Sequence, residues 1–199
     1  MRLVLALAGG FALGSIPFSV WMGRRAAGVD VRQHGSRNPG AANVWRTVGR
    51  ATGILVGAAD AAKGAVAVWL AWQLGLSDDL AVWAAVAAVV GHDFSPWLGL
   101  KGGKGGATTC GALACFVFPE MLMVLALWLV AGTIDRGRRF LWSLLALSAC
   151  PLFELMSGRV PMPPWSGIPA RSASVILAST ALIVLLWTRV APGLRRPDA

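Results

Sequence analysis

Between its polar loops this chain runs in apolar stretches that approach the thickness of a bilayer, with Leu3 to Met22 and Ala51 to Gln73 the clearest. A spanning helix needs roughly 20 such residues at about 1.5 Å of rise each. In hydrocarbon every backbone N–H and C=O must find its partner within the structure, so only helices and closed barrels can span. The period-two alternation of a barrel strand is absent. Composition agrees: the chain is 56% hydrophobic and 14% charged, against about 25% charged in a soluble domain. The sequence therefore predicts an all-α fold, a polytopic transmembrane helical bundle, with residues 1–199 forming one domain.

Seven spans follow from the pattern. After the first two come Leu80 to Phe94, and then Ala107 to Ile134, which is too long for one helix. It divides at Pro119-Glu120, because proline cannot continue a helix and glutamate is costly in hydrocarbon. Phe140 to Met156 and Ala173 to Thr188 complete the set. An outside N-terminus and a cytoplasmic C-terminus put Arg24, Arg25, Arg32, Arg37, Arg46, Arg50, Lys101, Lys104, Arg136, Arg138, Arg139, Arg189, Arg195 and Arg196 inside. Only Arg2, Arg159 and Arg171 then lie outside. Cytoplasmic loops carry such an excess of cations, so the net charge of +9 orients the chain and does not signal nucleic acid. The first apolar run reads as a retained helix and not as a cleaved signal. Cys110, Cys115 and Cys150 lie in apolar segments and read as small core residues. With two distant histidines, no metal site is expected and no cofactor is called for.

Two polar, glycine-bearing loops interrupt this apolar chain. One runs Gly99-Leu100-Lys101-Gly102-Gly103-Lys104-Gly105-Gly106, shortly after Gly91-His92-Asp93. Glycine lets backbone N–H groups approach a ligand closely, and a helix N-terminus just beyond adds partial positive charge. Orientation alone needs charge but not five glycines and a histidine, so the loop reads as an anion site. It is not a phosphate loop of the nucleotide-binding kind, since Gly105 follows Lys104 where a hydroxyl residue belongs. The other loop runs Gly35-Ser36-Arg37-Asn38-Pro39-Gly40-Ala41-Ala42-Asn43, followed by Arg46. Ser36, Asn38 and Asn43 offer polar side chains, and Arg46 a guanidinium fork suited to phosphate. Taken alone this second loop is equally an ordinary surface turn. Both fall on the cytoplasmic side of the seven-span arrangement. Asp60 and Lys63, three apart in a span, share one helix face. They are either a structural ion pair or support for the anion site. No Gly-x-Ser-x-Gly elbow and no His-x4-Asp pattern is present.

These residues, in this order, resemble the bacterial acyl-phosphate:glycerol-3-phosphate acyltransferases, integral membrane enzymes of phospholipid synthesis. The resemblance runs from about residue 14 to 112. It rests on Gly14-Ser15-Ile16-Pro17-Phe18, Gly23-Arg24, Asp30 to Ser36, Asn38, Gly40-Ala41, Asn43-Val44-Trp45-Arg46, Asp60-Ala61-Ala62-Lys63-Gly64, Gly91-His92-Asp93-Phe94, Lys101 to Gly105 and Ala107-Thr108. It departs from the family at Arg37, where glycine is usual, at Pro39 after Asn38, and at Ala42 in place of threonine. A His-Arg-x-Asn-Ile-like tail is not recognisable in Thr188 to Pro192.

The resemblance implies seven helices with the active site on the cytoplasmic face of the bacterial inner membrane. It implies acyl transfer from acyl phosphate to the 1-hydroxyl of glycerol 3-phosphate, giving lysophosphatidic acid and phosphate. The partners are then the two substrates and membrane lipid, and the enzyme is expected to act as a monomer. On this reading Ser36, Asn38, Gly40 and Asn43 hold one phosphate. Arg46, Lys101 and Lys104 hold the other, with Gly102, Gly103 and Lys63 lining the site. His92, Lys104 and Ser36 are the expected catalytic groups, His92 orienting or deprotonating the hydroxyl unless a donor phosphate oxygen takes that proton. The competing readings are a transporter, a non-catalytic anion-binding membrane protein, and a diverged paralogue with another acyl acceptor.

Overall fold

The computed structural model describes residues 1–116. Within them lie six helices and two single 3-10 turns, with no strand. The expected spans from the second half of the Ala107 to Ile134 segment onward, and Cys150, lie outside the described residues.

The first apolar run is not one helix. It is α1, Arg2–Ser15, and α2, Phe18–Ala27, broken at Ile16-Pro17. Pro17 lacks the N–H an uninterrupted helix would use, and it forces the residue before it out of helical geometry. Ile16 is accordingly extended, with φ −60° and ψ 119°. A single continuous span from Leu3 to Met22 was expected; the proline overrides it, and α2 carries the helical chain on to Ala27. There Gly28, in the left-handed region, caps α2 by donating to Arg24. Next comes α3, Ala41–Thr47, a short helix inside what the sequence reads as a polar loop. The second span is α4, Arg50–Gln73, and the third is α5, Asp78–Asp93. Both bounds lie within two residues of the expected ones. The last described helix is α6, Gly106–Ala114, starting right after the glycine-lysine loop.

Helices pack through small residues. Gly10 and Gly14 of α1 lie against the backbones of Ala84 and Ala88 of α5, and Gly91 of α5 against Phe11 and Ser15 of α1. A side chain at Gly14 would run into the Ala88 carbonyl. This is small-x-x-x-small packing, which brings helix backbones together where lipid removes the usual hydrophobic drive. The register makes α1 and α5 parallel. In the same way Gly111 of α6 lies on Ala61 of α4, and the Cys115 thiol sits beside the Ala65 carbonyl, so α4 and α6 are parallel.

The burial pattern is that of a protein in lipid. Alanine and valine dominate the core, with Ala67, Ala81, Ala84, Ala85, Val68 and Val82 essentially inaccessible. Large apolar side chains face outward: Leu5, Trp21, Ile54, Leu55, Trp69 and Trp83. Water would penalise so large an apolar exterior, whereas hydrocarbon accepts it. Arg2–Ala27 and Arg50–Gln73 are each long and apolar enough to cross a membrane.

The parallel pairs place both polar loops at one end of the bundle, where α2 and α5 finish and α4 and α6 begin. Leu98, from the turn after α5, joins Val20, Val31, Val44 and Val56 in a single apolar cluster. That cluster fastens one loop onto the other.

Candidate active site

The first loop is folded around one buried amide. Asn43, on α3, accepts the Ser36 N–H at its Oδ1 (3.0 Å), and its Nδ2 donates to the carbonyls of Val31 (2.8 Å) and His34 (3.0 Å). Both amide hydrogens are therefore engaged, and the side chain shapes the loop from within. Gly35 turns in the left-handed region against Asn43 and Thr47, where a side chain would collide. Arg37 is also left-handed, with φ 58°, a conformation that costs a residue bearing a Cβ roughly 1–2 kcal/mol. This is the position where the sequence departs from glycine. Gly40 precedes α3 and donates to the Asn38 carbonyl. Ser36 is exposed, Asn38 is half-buried, and Arg46 lies on the outer face of α3.

Cations around this end fall into two groups. Asp30 is bracketed by Arg24 (2.9 Å) and Arg32 (2.7 Å). The Arg32 guanidinium hydrogen-bonded to it, with help from Arg24, holds the Asp30 carboxyl well below the usual carboxylate range. Arg37, Arg46, Lys101 and Lys104 make no ion pair among the described residues. Arg25 and Arg50, at the end of α2 and the start of α4, make none among the described residues either, so this end carries charge that an anion could meet.

The second loop folds back on the end of α5. Gly102 donates to the Asp93 carbonyl (3.0 Å) and Gly103 to the His92 carbonyl (3.2 Å). A Cβ at Gly103 would strike the His92 imidazole at Nε2, and one at Gly105 would meet the Asp93 carboxylate. These glycines were expected to admit a ligand. In the structure Gly103 makes room for His92 and Gly105 for Asp93. Lys101 is exposed and Lys104 half-buried at the lip of the loop. No hydrogen bond or ion pair among the described residues links either lysine to Ser36, Asn38 or Arg46.

Beneath the loop lies a buried charged cluster. Lys63 pairs with Asp60 at 2.9 Å, both side chains 3% exposed. Lys63 Nζ also donates to the Ile16 carbonyl (3.1 Å), which the proline break has taken out of the helical ladder, and lies 5.9 Å from the centre of the Phe18 ring. His92 Nδ1 is 3.7 Å from the same Asp60 oxygen. Beside the break, Ser95 Oγ donates to the Ser15 carbonyl (2.6 Å) and Trp97 Nε1 to Ser15 Oγ (3.2 Å). Lys63 was expected as part of an ion pair or as support for the anion site, and His92 to orient or deprotonate the hydroxyl; here both are buried among protein groups. Asp93, Ser15 and Ser95 were not singled out as site residues; Asp60 was, with Lys63, as an ion pair or as support for the anion site. The signal for the serines was their closeness in sequence to Pro17 and Pro96, the points where carbonyls come free. The Thr108 and Thr109 hydroxyls are buried at the start of α6 without a hydrogen-bond partner among the described residues.

A buried ion pair under two loops, with unpaired cations around them, suits binding and positioning of phosphorylated molecules. The model of the glycerol-3-phosphate acyltransferase family matches residues 4–196. The chain belongs to that family. A glycerol-3-phosphate acyltransferase of Synechococcus sp. (strain JA-3-3Ab) is 47% identical over 160 residues, 80% of this chain and 77% of the relative. One from Paramagnetospirillum magneticum is 44% identical over 155 residues, 78% and 76% of the two chains. Among solved structures, the chain is similar to PlsY, an integral membrane glycerol 3-phosphate acyltransferase, in its glycerol 3-phosphate form. The TM-score is 0.82 at 27% identity, covering 98% of this chain and 92% of that one. The lysophosphatidic acid form gives 0.81 at the same identity. The all-helical membrane fold of the family thus agrees with the helices seen here, and family membership confirms the resemblance read from the motifs.

Proposed function

We propose that this chain transfers an acyl group from acyl phosphate to the 1-hydroxyl of glycerol 3-phosphate, releasing lysophosphatidic acid and phosphate. The observation that carries the reading is the likeness, across nearly the whole chain, to a relative known in both a glycerol 3-phosphate form and a lysophosphatidic acid form. Cations on two loops at one end of the bundle, without an ion pair among the described residues, support it, because both substrates carry phosphate.

In this proposal Ser36, Asn38, Gly40 and Arg46, with Lys101 and Lys104, hold the two phosphates, while the Gly102 and Gly103 N–H groups stay on the end of α5. Asn43 contributes by folding the first loop, and Lys63 by bracing the second from beneath. The hydroxyl oxygen attacks the acyl carbonyl carbon, the bond from that carbon to the phosphate oxygen breaks, and the departing phosphate takes the hydroxyl proton. Acyl phosphate is already activated, so no covalent acyl-enzyme is needed. Rate comes from holding two reactants in line and from cations at the oxygens where charge gathers. The seven-span arrangement, with the loops facing the cytoplasm of the bacterial inner membrane and a monomeric enzyme, completes the proposal; the cation asymmetry of the loops supports the orientation. A carrier would place its binding groups near the midplane, whereas these loops lie at one end.

The test is turnover of purified protein in lipid with palmitoyl phosphate and glycerol 3-phosphate. Lysophosphatidic acid and phosphate in equal amounts are expected. Phosphate release without the lipid product would replace the acceptor, and no reaction by folded protein would overturn the reading.

A further inference from the structure

We propose that His92 is a positioning residue that acts through Gly103: the buried series Ile16, Lys63, Asp60 and His92 sets where the Lys101–Lys104 backbone runs. The inference rests on the acyl-transfer reading and adds a division of labour within it. The series begins at the helix break, where Pro17 frees a carbonyl for Lys63. Lys63 holds Asp60, and Asp60 faces His92 Nδ1. The opposite ring nitrogen, Nε2, abuts Gly103 so closely that no side chain fits there. The Gly103 N–H returns to the His92 carbonyl, closing the loop on the residue that supports it. His92 is buried, with protein on both ring nitrogens. An imidazole wedged this way fixes a distance. Lys104 is the next residue along, so the thickness of the ring decides where that ammonium stands.

The experiment is a four-protein cycle of wild type, His92→Ala, Gly103→Ala and the double variant, with His92→Gln alongside. For each, kcat, the KM for glycerol 3-phosphate and the melting temperature are measured in the same lipid or detergent. The Gly103→Ala protein should lose at least tenfold in kcat because its methyl meets the imidazole. Removing the imidazole as well should restore at least threefold of that loss. The His92→Gln protein, which keeps a planar group of similar reach, should hold kcat within about fivefold and leave the pH profile unshifted. A double variant no better than the worse single, or a His92→Gln protein without activity at wild-type melting temperature, would overturn the inference and make His92 a catalytic residue. If Gly103→Ala does not fold, the His92→Gln result decides alone. If wild type itself does not turn over, the acyl-transfer reading fails separately. The contact is then judged by melting temperatures: a double variant more stable than the two single effects add to supports it, and additivity rejects it.

Discussion

Removing the Lys63 ammonium should destabilise the protein far more than removing the whole ion pair. In Lys63→Met, Asp60 stays buried with its partner gone, and the Ile16 carbonyl keeps only the Phe18 N–H as donor. Breaking one side of a buried pair costs roughly 3–5 kcal/mol. A chain of this length shifts in melting temperature by roughly 2–4 °C per kcal/mol. The expected fall is therefore roughly 6–20 °C. In Asp60→Leu/Lys63→Met no charge is left behind, and apolar replacement of a buried pair is often neutral or stabilising by roughly 1–4 kcal/mol. Against that stands the lost bond from Lys63 to the Ile16 carbonyl, which keeps the Phe18 N–H, at roughly 0.5–1.5 kcal/mol. The double variant should melt within about 5 °C of wild type. The assay is loss of helical circular dichroism on heating in one detergent. A fixed scan rate is required, because unfolding of such proteins is commonly irreversible. A Lys63→Met protein melting within 2 °C of wild type, or a double variant as unstable as the single, would refute the reasoning.

Three further outcomes follow from the same geometry. Arg37→Gly removes left-handed strain of roughly 1–2 kcal/mol but adds chain entropy to the unfolded state, so melting should rise by about 1–4 °C; a fall would show that the Arg37 side chain makes a stabilising contact. Asp30→Asn should lower the melting temperature at pH 7. Because Asp30 titrates below its ordinary value, its stabilisation is present above about pH 4 and fades as pH falls toward the folded-state value, so variant and wild type should converge in acid, and a constant gap would contradict the arginine bracket. Lys104→Ala should reduce kcat/KM by at least a hundredfold with little change in melting temperature, whereas near-normal turnover would remove Lys104 from the site.

The sequence discloses more of the fold than of the site. Apolar length and charge place α4 and α5 to within two residues, because lipid leaves the chain few alternatives. Pro17 was visible too, but its consequence was not. The break matters because it offers carbonyls to Lys63 and Ser95 and the Ser15 hydroxyl to Trp97, and those partners are 47 or more residues away. Gly10 and Gly14 gave a readable small-residue spacing whose partner face on α5 is known only from packing. The glycine-lysine loop was recognised, yet its glycines have two uses. Flexibility near a ligand is a local inference; room for a buried imidazole under Gly103 is a tertiary one. Asn43 shows the same limit. Its amide suits a phosphate as well as it suits a loop, and only the fold reveals that Val31 and His34 already hold both hydrogens.

The most direct measurement is the stoichiometry of the reaction itself. Purified protein in lipid, given palmitoyl phosphate and glycerol 3-phosphate, should form lysophosphatidic acid and phosphate one for one, and omission of either substrate should stop the lipid product. Donor consumption that proceeds unchanged without glycerol 3-phosphate, or folded protein that forms no lipid product at all, would contradict the account.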